Sequence, residues 1–255
     1  MDSKLKLLKE FYRGLPKDRA KFETCEHGFE FLEQLLAGGA ALEYGEMSFS
    51  GLIHKYKLSR VPEELVDELL ISHLNYRSNL CLYFGHKSNS LFCFNLDNNH
   101  KTNNTAIIPE MELLVTLLRE GLSELGCEPL IIASGRGYHL WCRLAAAVDN
   151  DSLYNLMLGS TARAMLGLHK KGYDHNKIKA NFYPDPRSRD IVSLRLFGTE
   201  HIKNKVFSRV LTREGLLDEP SSWQAFEDHM LEKTIGVDTF SGAHAAIMAS
   251  FLKGS

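Results

Sequence analysis

Residues 134–141 read SGRGYHLW and combine residue types that can hold a phosphate group. The two glycines allow positive φ and a close backbone approach in a tight turn. Ser134, Arg136 and the amide groups of such a turn can all donate to an anion. His139 follows directly, on an apolar strand. The spacing therefore suits a polyphosphate, although a glycine-rich turn between two strands is also an ordinary hairpin.

A second segment, residues 92–99, reads FCFNLDNN and supplies oxygen ligands. Strand periodicity places Asn95 and Asp97 on the same face. Hard divalent cations such as Mg²⁺ take one or two carboxylates together with waters and phosphates. The alternative is a simple turn, because Asx residues are common in turns.

A third segment, from Tyr183 to Lys203, combines acidic and basic residues around an apolar strand. Arg195 lies inside that strand, where a guanidinium must reach solvent or find an acidic partner. It can bind a triphosphate bidentately or form an internal salt bridge with Asp185 or Asp190.

Composition and charge narrow the class of protein. The 255 residues carry a net charge of -2 and 44% apolar residues, as expected of a globular protein. Residues 170–213 hold 11 Lys or Arg against four acidic residues, which fits either a local anion-binding surface or a solvated face. Cys25 and His27 have no second ligand pair at finger-like spacing, which argues against a structural zinc.

Apolar periodicity predicts both helices and strands. Helices are predicted over residues 2–14, 28–37, 62–74, 109–125, 150–168 and 223–231. Short apolar runs predict strands at residues 80–84, 91–96, 129–133, 138–144, 182–183, 192–197 and 206–211. We expect the first two of these strands to pair as a β-hairpin. The order of elements indicates an α+β fold rather than a regular βαβ series.

In this order, the three segments resemble the motifs of the archaeo-eukaryotic primase superfamily. Its members have a strand ending in DxD, a serine-glycine turn before a strand histidine, and an RLPGS-type strand followed by a lysine. Here these read NLD, SGRGYH and LRLFGTEHIK. The resemblance covers about residues 80–212, and its central motif is the most specific.

The resemblance implies roles for individual residues. Asn95 and Asp97 take the DxD positions and, with an acidic residue before the arginine strand, bind Mg²⁺ or Mn²⁺ as the catalytic set. Asp185 is the first choice for that third ligand, with Asp190 and the position of Asn181 as alternatives. The residues implied to bind the nucleotide triphosphate are Ser134, Arg136, His139, Arg195 and Lys203. Asn95 departs from the family's aspartate and brings no charge, so metal affinity should fall.

The resemblance also implies a fold and a domain arrangement. We expect a primase-polymerase-like α+β fold with a mixed or antiparallel sheet core that includes an RRM-like module. Residues 1–75 are expected to form a helical N-terminal layer or subdomain, residues 76–235 the catalytic core, and residues 236–255 a C-terminal tail of a longer protein.

The implied activity is nucleotidyl transfer that makes or extends a primer on a single-stranded DNA template, using NTP or dNTP. The alternative is a degenerate primase-fold module that binds nucleotide or nucleic acid without catalysis. Further domains or a helicase-type partner are the expected protein partners. No apolar run reaches the roughly 18 residues of a transmembrane helix, so we expect a cytoplasmic protein with no membrane partner.

Overall fold

The computed structural model describes residues 2–25, 28–47, 52–98, 108–187, 193–202 and 205–252. The helices are α1 (Asp2–Phe11), α2 (Gly28–Ala37), α3 (Val66–Leu74), α4 (Pro109–Glu124), α5 (Asn150–Lys170), α6 (Glu219–Glu232) and α7 (Val237–Leu252). The strands are β1 (Ala20–Thr24), β2 (Ala41–Met47), β3 (His54–Arg60), β4 (Ser78–Tyr83), β5 (Ser88–Asn98), β6 (Leu130–Ala133), β7 (Gly137–Asp149), β8 (Ile178–Tyr183), β9 (Ser193–Arg195), β10 (Arg209–Val210) and β11 (Thr234–Ile235). The predicted α+β class is confirmed.

The chain divides into two compact units, the first comprising residues 1–85 and 190–208 and the second residues 86–189 and 209–255. This division differs from the predicted boundaries at residues 75 and 235. Strands β1 to β3 lie within the segment predicted to be a helical layer. Their sequences are rich in charged residues, and most of β2 is exposed, so they lack the apolar runs that identified the other strands.

The first unit is built on a sheet in the order β2-β3-β1-β4-β9, in which every pairing is antiparallel. Its core includes Phe22 of β1, Leu58 of β3 and Leu80 of β4, together with Leu69 of α3. The predicted hairpin over residues 80–96 is wrong. β4 pairs with β1 and β9, whereas β5 belongs to the second unit, so the two strands lie in different sheets, and the last three residues of GHKSNS begin β5.

The second unit is built on a sheet in the order β10-β6-β7-β5-β8, with β11 also paired to β7. The pairings are antiparallel except for that of β11. One face of the sheet packs against α4, α5 and α7 in a continuous apolar core that includes Phe94, Leu140 and Phe182. Residue Asp149 caps α5 by accepting a hydrogen bond from the Ser152 amide at 2.8 Å, in place of the predicted Asn150 or Asp151. In the described part of the chain, no helix has the length and apolarity to cross a bilayer.

Buried His73 joins α3 to two backbone segments of the first unit. Its Nδ1 accepts from the Leu80 amide at 3.0 Å, and its Nε2 lies 2.9 Å from the Phe197 carbonyl oxygen. Since Nδ1 is an acceptor, the ring is neutral and Nε2–H donates. Burial lowers the pKa of His73 from 6.5 to about 4.

We predict that His73 makes the protein sensitive to acid. Because folding lowers this pKa, the unfolded chain binds more protons than the folded chain below pH 6.5. The stability gained by keeping His73 neutral in the folded chain is fully present above pH 6.5 and is lost as the pH falls towards about 4. Between pH 7 and pH 5 the free energy of unfolding should fall by about 2 kcal/mol more in the wild type than in His73→Gln. Urea unfolding followed by circular dichroism measures this difference, and equal pH dependence would contradict the assignment.

Candidate functional site

The pairing register of β5 brings the predicted polar residues of the second unit together. Asn95 lies directly opposite His139 of β7 on one side and Asn181 of β8 on the other. Directly opposed residues of antiparallel strands project from the same face. These three side chains form a line across the sheet, which we call the polar row. With strands about 4.8 Å apart, the row spans about 10 Å.

Asp97 lies two residues further along β5 and therefore on the same face as the polar row. It is opposite Gly137 of β7 and Lys179 of β8. Asp97 is partly exposed and Lys179 is exposed, and neither forms an ion pair with a described residue. The end of the sheet thus carries one carboxylate, one ammonium group and a buried glycine.

Asn95 and His139 are buried, each only 7% exposed. Asn95 Nδ2 donates to Asp97 Oδ2 at 3.2 Å, while Asn95 Oδ1 is buried and accepts no hydrogen bond from the described residues. Buried polar atoms are usually satisfied, so an orphaned amide oxygen beside a carboxylate is a notable feature of this face.

The glycine-rich segment forms the tight hairpin between β6 and β7. Gly135 has a φ of +96°, as the first central position of a type II′ turn requires. The Ser134 amide and hydroxyl both donate to the Gly137 carbonyl oxygen, at 2.8 and 3.2 Å, so they close the turn. Arg136 is exposed at the tip and makes no ion pair with the described residues. Of the predicted donors in this turn, the guanidinium is therefore the one presented to solvent.

Asp185 lies apart from Asp97. It follows the end of β8, and its Oδ1 accepts from the amide of Arg187 at 3.0 Å and from Nε at 3.4 Å. The Arg187 guanidinium stacks on the ring of Tyr154 of α5, 4.1 Å from the centroid. Tyr154 packs with the core on the opposite face of the sheet from the polar row. Asn181 occupies the position beside Asn95, whereas Asp185 follows the end of β8, and the role of Asp185 as the third ligand stays a prediction.

Three further predicted residues do not belong to the described part of the second unit. Arg195 is on β9 of the first unit, opposite Cys81, and its guanidinium lies 3.5 Å from Asn79 Oδ1. Lys203 and Asp190 lie outside the described residues. Their roles stay predictions.

The donor set on this face fits a single hard cation. Asp97 supplies a carboxylate, and the orphaned Asn95 oxygen is a neutral ligand of the type that Mg²⁺ accepts. Among the described residues, no group of three or more His, Cys, Asp or Glu side chains could hold a metal ion. The adjacent Cys93 is no candidate ligand, because burial holds the pKa of its thiol well above the ordinary value.

Sequence reasoning missed Lys179 altogether and ranked Asn181 last. Both lie in β8, whose pairing with β5 puts them beside Asp97 and Asn95. The alternation in IKANFY was a usable signal, since it places Lys179, Asn181 and Tyr183 on one face.

Comparisons with known proteins give weak likenesses. No protein-family model matches the sequence, and no curated protein matches it. The polymerase domain of Mycobacterium tuberculosis Ligase D in complex with DNA is similar at a TM-score of 0.44 and 12% identity, over 97% of this chain and 87% of that chain. An unknown protein from Galdieria sulphuraria is similar at a TM-score of 0.24 and 11% identity, over 64% of this chain and 95% of that chain. At these scores neither likeness decides the fold family or the function.

We predict that Gly137→Ala disrupts the site end of the sheet. A Cβ at this position would lie 1.9 Å from the Leu96 carbonyl oxygen, so β5 and β7 would have to separate. The free energy of unfolding should fall by about 3 kcal/mol or more. The matched control is Gly121→Ala in α4, where a Cβ meets nothing within 4 Å and should stabilise the helix by about 0.5–1 kcal/mol. Equal free energies of unfolding in urea for Gly137→Ala and Gly121→Ala would contradict the pairing register of β5 and β7.

Proposed function

We propose that the protein is a nucleotidyltransferase of the primase-polymerase type, which makes or extends a primer on a single-stranded DNA template. The observation that carries the proposal is the alignment of His139, Asn95 and Asn181 in one row, with Asp97 and the Arg136 hairpin tip at its end. Two separate sequence motifs, the NLD strand end and the SGRGYH turn, thus meet on adjacent strands in the order that the primase superfamily uses.

The chemistry of this face suits a nucleoside triphosphate. Arg136 and Lys179 provide exposed cations for phosphate oxygens, and the buried His139 ring can orient the triphosphate from within the sheet. Asp97 and Asn95 would hold Mg²⁺ or Mn²⁺, which when bound neutralises phosphate charge. Arg195 and Lys203 are proposed to contribute further positive charge.

In the proposed reaction, a 3′-hydroxyl attacks the α-phosphorus of the incoming nucleotide. One P–O bond to the attacking oxygen forms, the bond to the β-phosphate oxygen breaks, and pyrophosphate leaves with its electron pair. The attacking hydroxyl loses its proton to solvent. The protein's part is to position the triphosphate and stabilise its developing charge, since the described residues hold the phosphates rather than form a covalent intermediate.

A second candidate function is a degenerate module that binds nucleotide or nucleic acid without catalysis. Asn95 favours it, because its amide replaces a carboxylate and donates to Asp97 Oδ2 at 3.2 Å. One carboxylate neutralises less cation charge than two, and two-metal transfer depends on both ions. Nucleotide binding without product would support this function.

We predict that Asp97→Asn abolishes primer synthesis and extension. Removal of the carboxylate should lower the rate at least about a hundredfold, with Mg²⁺ or with Mn²⁺, in a gel assay on single-stranded DNA. Asp151→Asn, an exposed change of the same kind in the first turn of α5, is the matched control and should leave the rate unchanged.

Asp185→Asn tests whether Asp185 is a metal ligand, as the sequence predicts, or only pairs with Arg187. Because Asp185 pairs with Arg187 beside α5, its loss should leave the rate within about twofold of the wild type. A loss as large as that of Asp97→Asn would return Asp185 to the metal site. No product from the wild type with either metal, with nucleotide binding intact, would favour the second candidate.

We also predict the effect of restoring the second carboxylate. In Asn95→Asp, two carboxylates face each other without a cation and repel, so the melting temperature without metal should fall. Mn²⁺ should then raise the melting temperature by more than it does in the wild type, because the ion binds the folded state more tightly. If Mn²⁺ raises the melting temperature of Asn95→Asp and of the wild type by the same amount, the cation does not bind at residue 95.

A further inference from the structure

A cavity of about 590 Å³ lies wholly within the first unit and is lined mainly by polar side chains. Helices α2 and α3 form two of its walls. The end of β1, the start of β4 and residues after β9 line the remainder. Its volume is within the range of small-molecule sites, roughly 300–1,000 Å³.

The carboxylates and the cations that line this cavity belong to different structural elements. Glu30 on α2 and Glu68 on α3 provide carboxylates, whereas Arg77 before β4 and Lys205 provide cations. None of these four residues forms an ion pair with a described residue, although opposite charges line the same space. With Glu200, the described residues of the lining carry three carboxylates and two cations. A phosphate dianion or a polyphosphate would add to this excess of negative charge.

Two hydroxyl groups in the lining are buried and unsatisfied within the described residues. Ser72 and Ser78 are only 5% and 1% exposed, and their Oγ atoms find no partner among the described residues. Buried polar groups are rarely unsatisfied in native proteins, and an unsatisfied group in a cavity wall indicates a missing partner. Water in an open cavity is one such partner, and a polar ligand is another.

Tyr76 lies at the rim in a conformation that tyrosine disfavours. It has a φ of 60° at the position after the cap of α3, and the Arg77 amide donates to the Ser72 carbonyl oxygen at 3.0 Å, as in a Schellman motif. Glycine is the usual residue there, since it carries no Cβ penalty. A large aromatic side chain thus lies beside the cavity despite the preference of the backbone, and its ring packs edge-on against Phe207, with 6.1 Å between the ring centroids.

We propose that this cavity binds a small peptide-like zwitterion with a net charge of about +1. Its ammonium groups would lie against Glu30 and Glu68, and its carboxylate against Arg77 and Lys205. The charge complements the excess carboxylate of the lining, and backbone amides supply partners for Ser72 and Ser78. The proposal is independent of nucleotidyl transfer, because every residue that carries it belongs to the first unit.

Calorimetric titration of the full chain with the tripeptide Lys-Ala-Ala, with free termini, tests the proposal. We expect saturable binding, and at least tenfold weaker binding of Glu-Ala-Ala, which reverses the side-chain charge. The C-terminal amide of Lys-Ala-Ala should also bind at least tenfold more weakly, because it lacks the carboxylate.

Matched variants locate the binding. Arg77→Gln and Glu68→Gln should each weaken the binding of Lys-Ala-Ala about tenfold or more. Arg13→Gln and Glu63→Gln remove the same charges from the same unit, outside the cavity lining, and should leave binding unchanged.

Three results would each overturn the proposal. The first is the absence of saturable binding of Lys-Ala-Ala to a folded wild-type chain. The second is equal binding of Lys-Ala-Ala and Glu-Ala-Ala, and the third is an equal loss of binding in the cavity variants and their controls. None of these results bears on primer synthesis, since the assay contains no nucleotide.

Discussion

The register of β5 between β7 and β8 is the constraint on which the candidate site depends. Side chains alternate along a strand, so a shift of one residue would move the whole polar set to the other face. In the observed register, Phe94 and Leu96 enter the core with α4 and α5, and Asn95 and Asp97 share the opposite face. The apolar core thus fixes the polar row, because burying one set of side chains decides where the alternate set projects.

The same register explains why the site has so little negative charge. The neighbours of Asn95 are a histidine and an amide, and Asp97 faces a glycine and a lysine. Asp97 is consequently the one carboxylate among these six positions, while Lys179 and the nearby Arg136 add cations. This balance of charge favours a metal ion that arrives bound to a triphosphate, whose phosphates bring their own negative charge. It is less suited to a metal ion bound by the protein side chains alone.

Local signals in the sequence predicted part of this arrangement. Periodicity and capping located α1, α2, α4 and α5, and alternation placed Asn95 and Asp97 on one face. Strand pairing was harder, because it depends on distant residues: β4 and β5 were expected to pair and instead belong to different sheets. Asp185 was chosen by its charge and spacing, whereas pairing with β5 brings Asn181 into the row. The cavity of the first unit could not be foreseen, since it joins two helices, strand ends and a loop.

Paramagnetic broadening by Mn²⁺ tests the central claim that the polar row and Asp97 hold a metal-bound nucleotide. Amide signals of the ¹⁵N-labelled full chain would be followed as Mn²⁺ is added with and without a nucleoside triphosphate. The account predicts broadening centred on Asn95 and Asp97 and their partners on β7 and β8, and stronger when the nucleotide is present. Broadening centred on Asp185 or absent from β5 would contradict it.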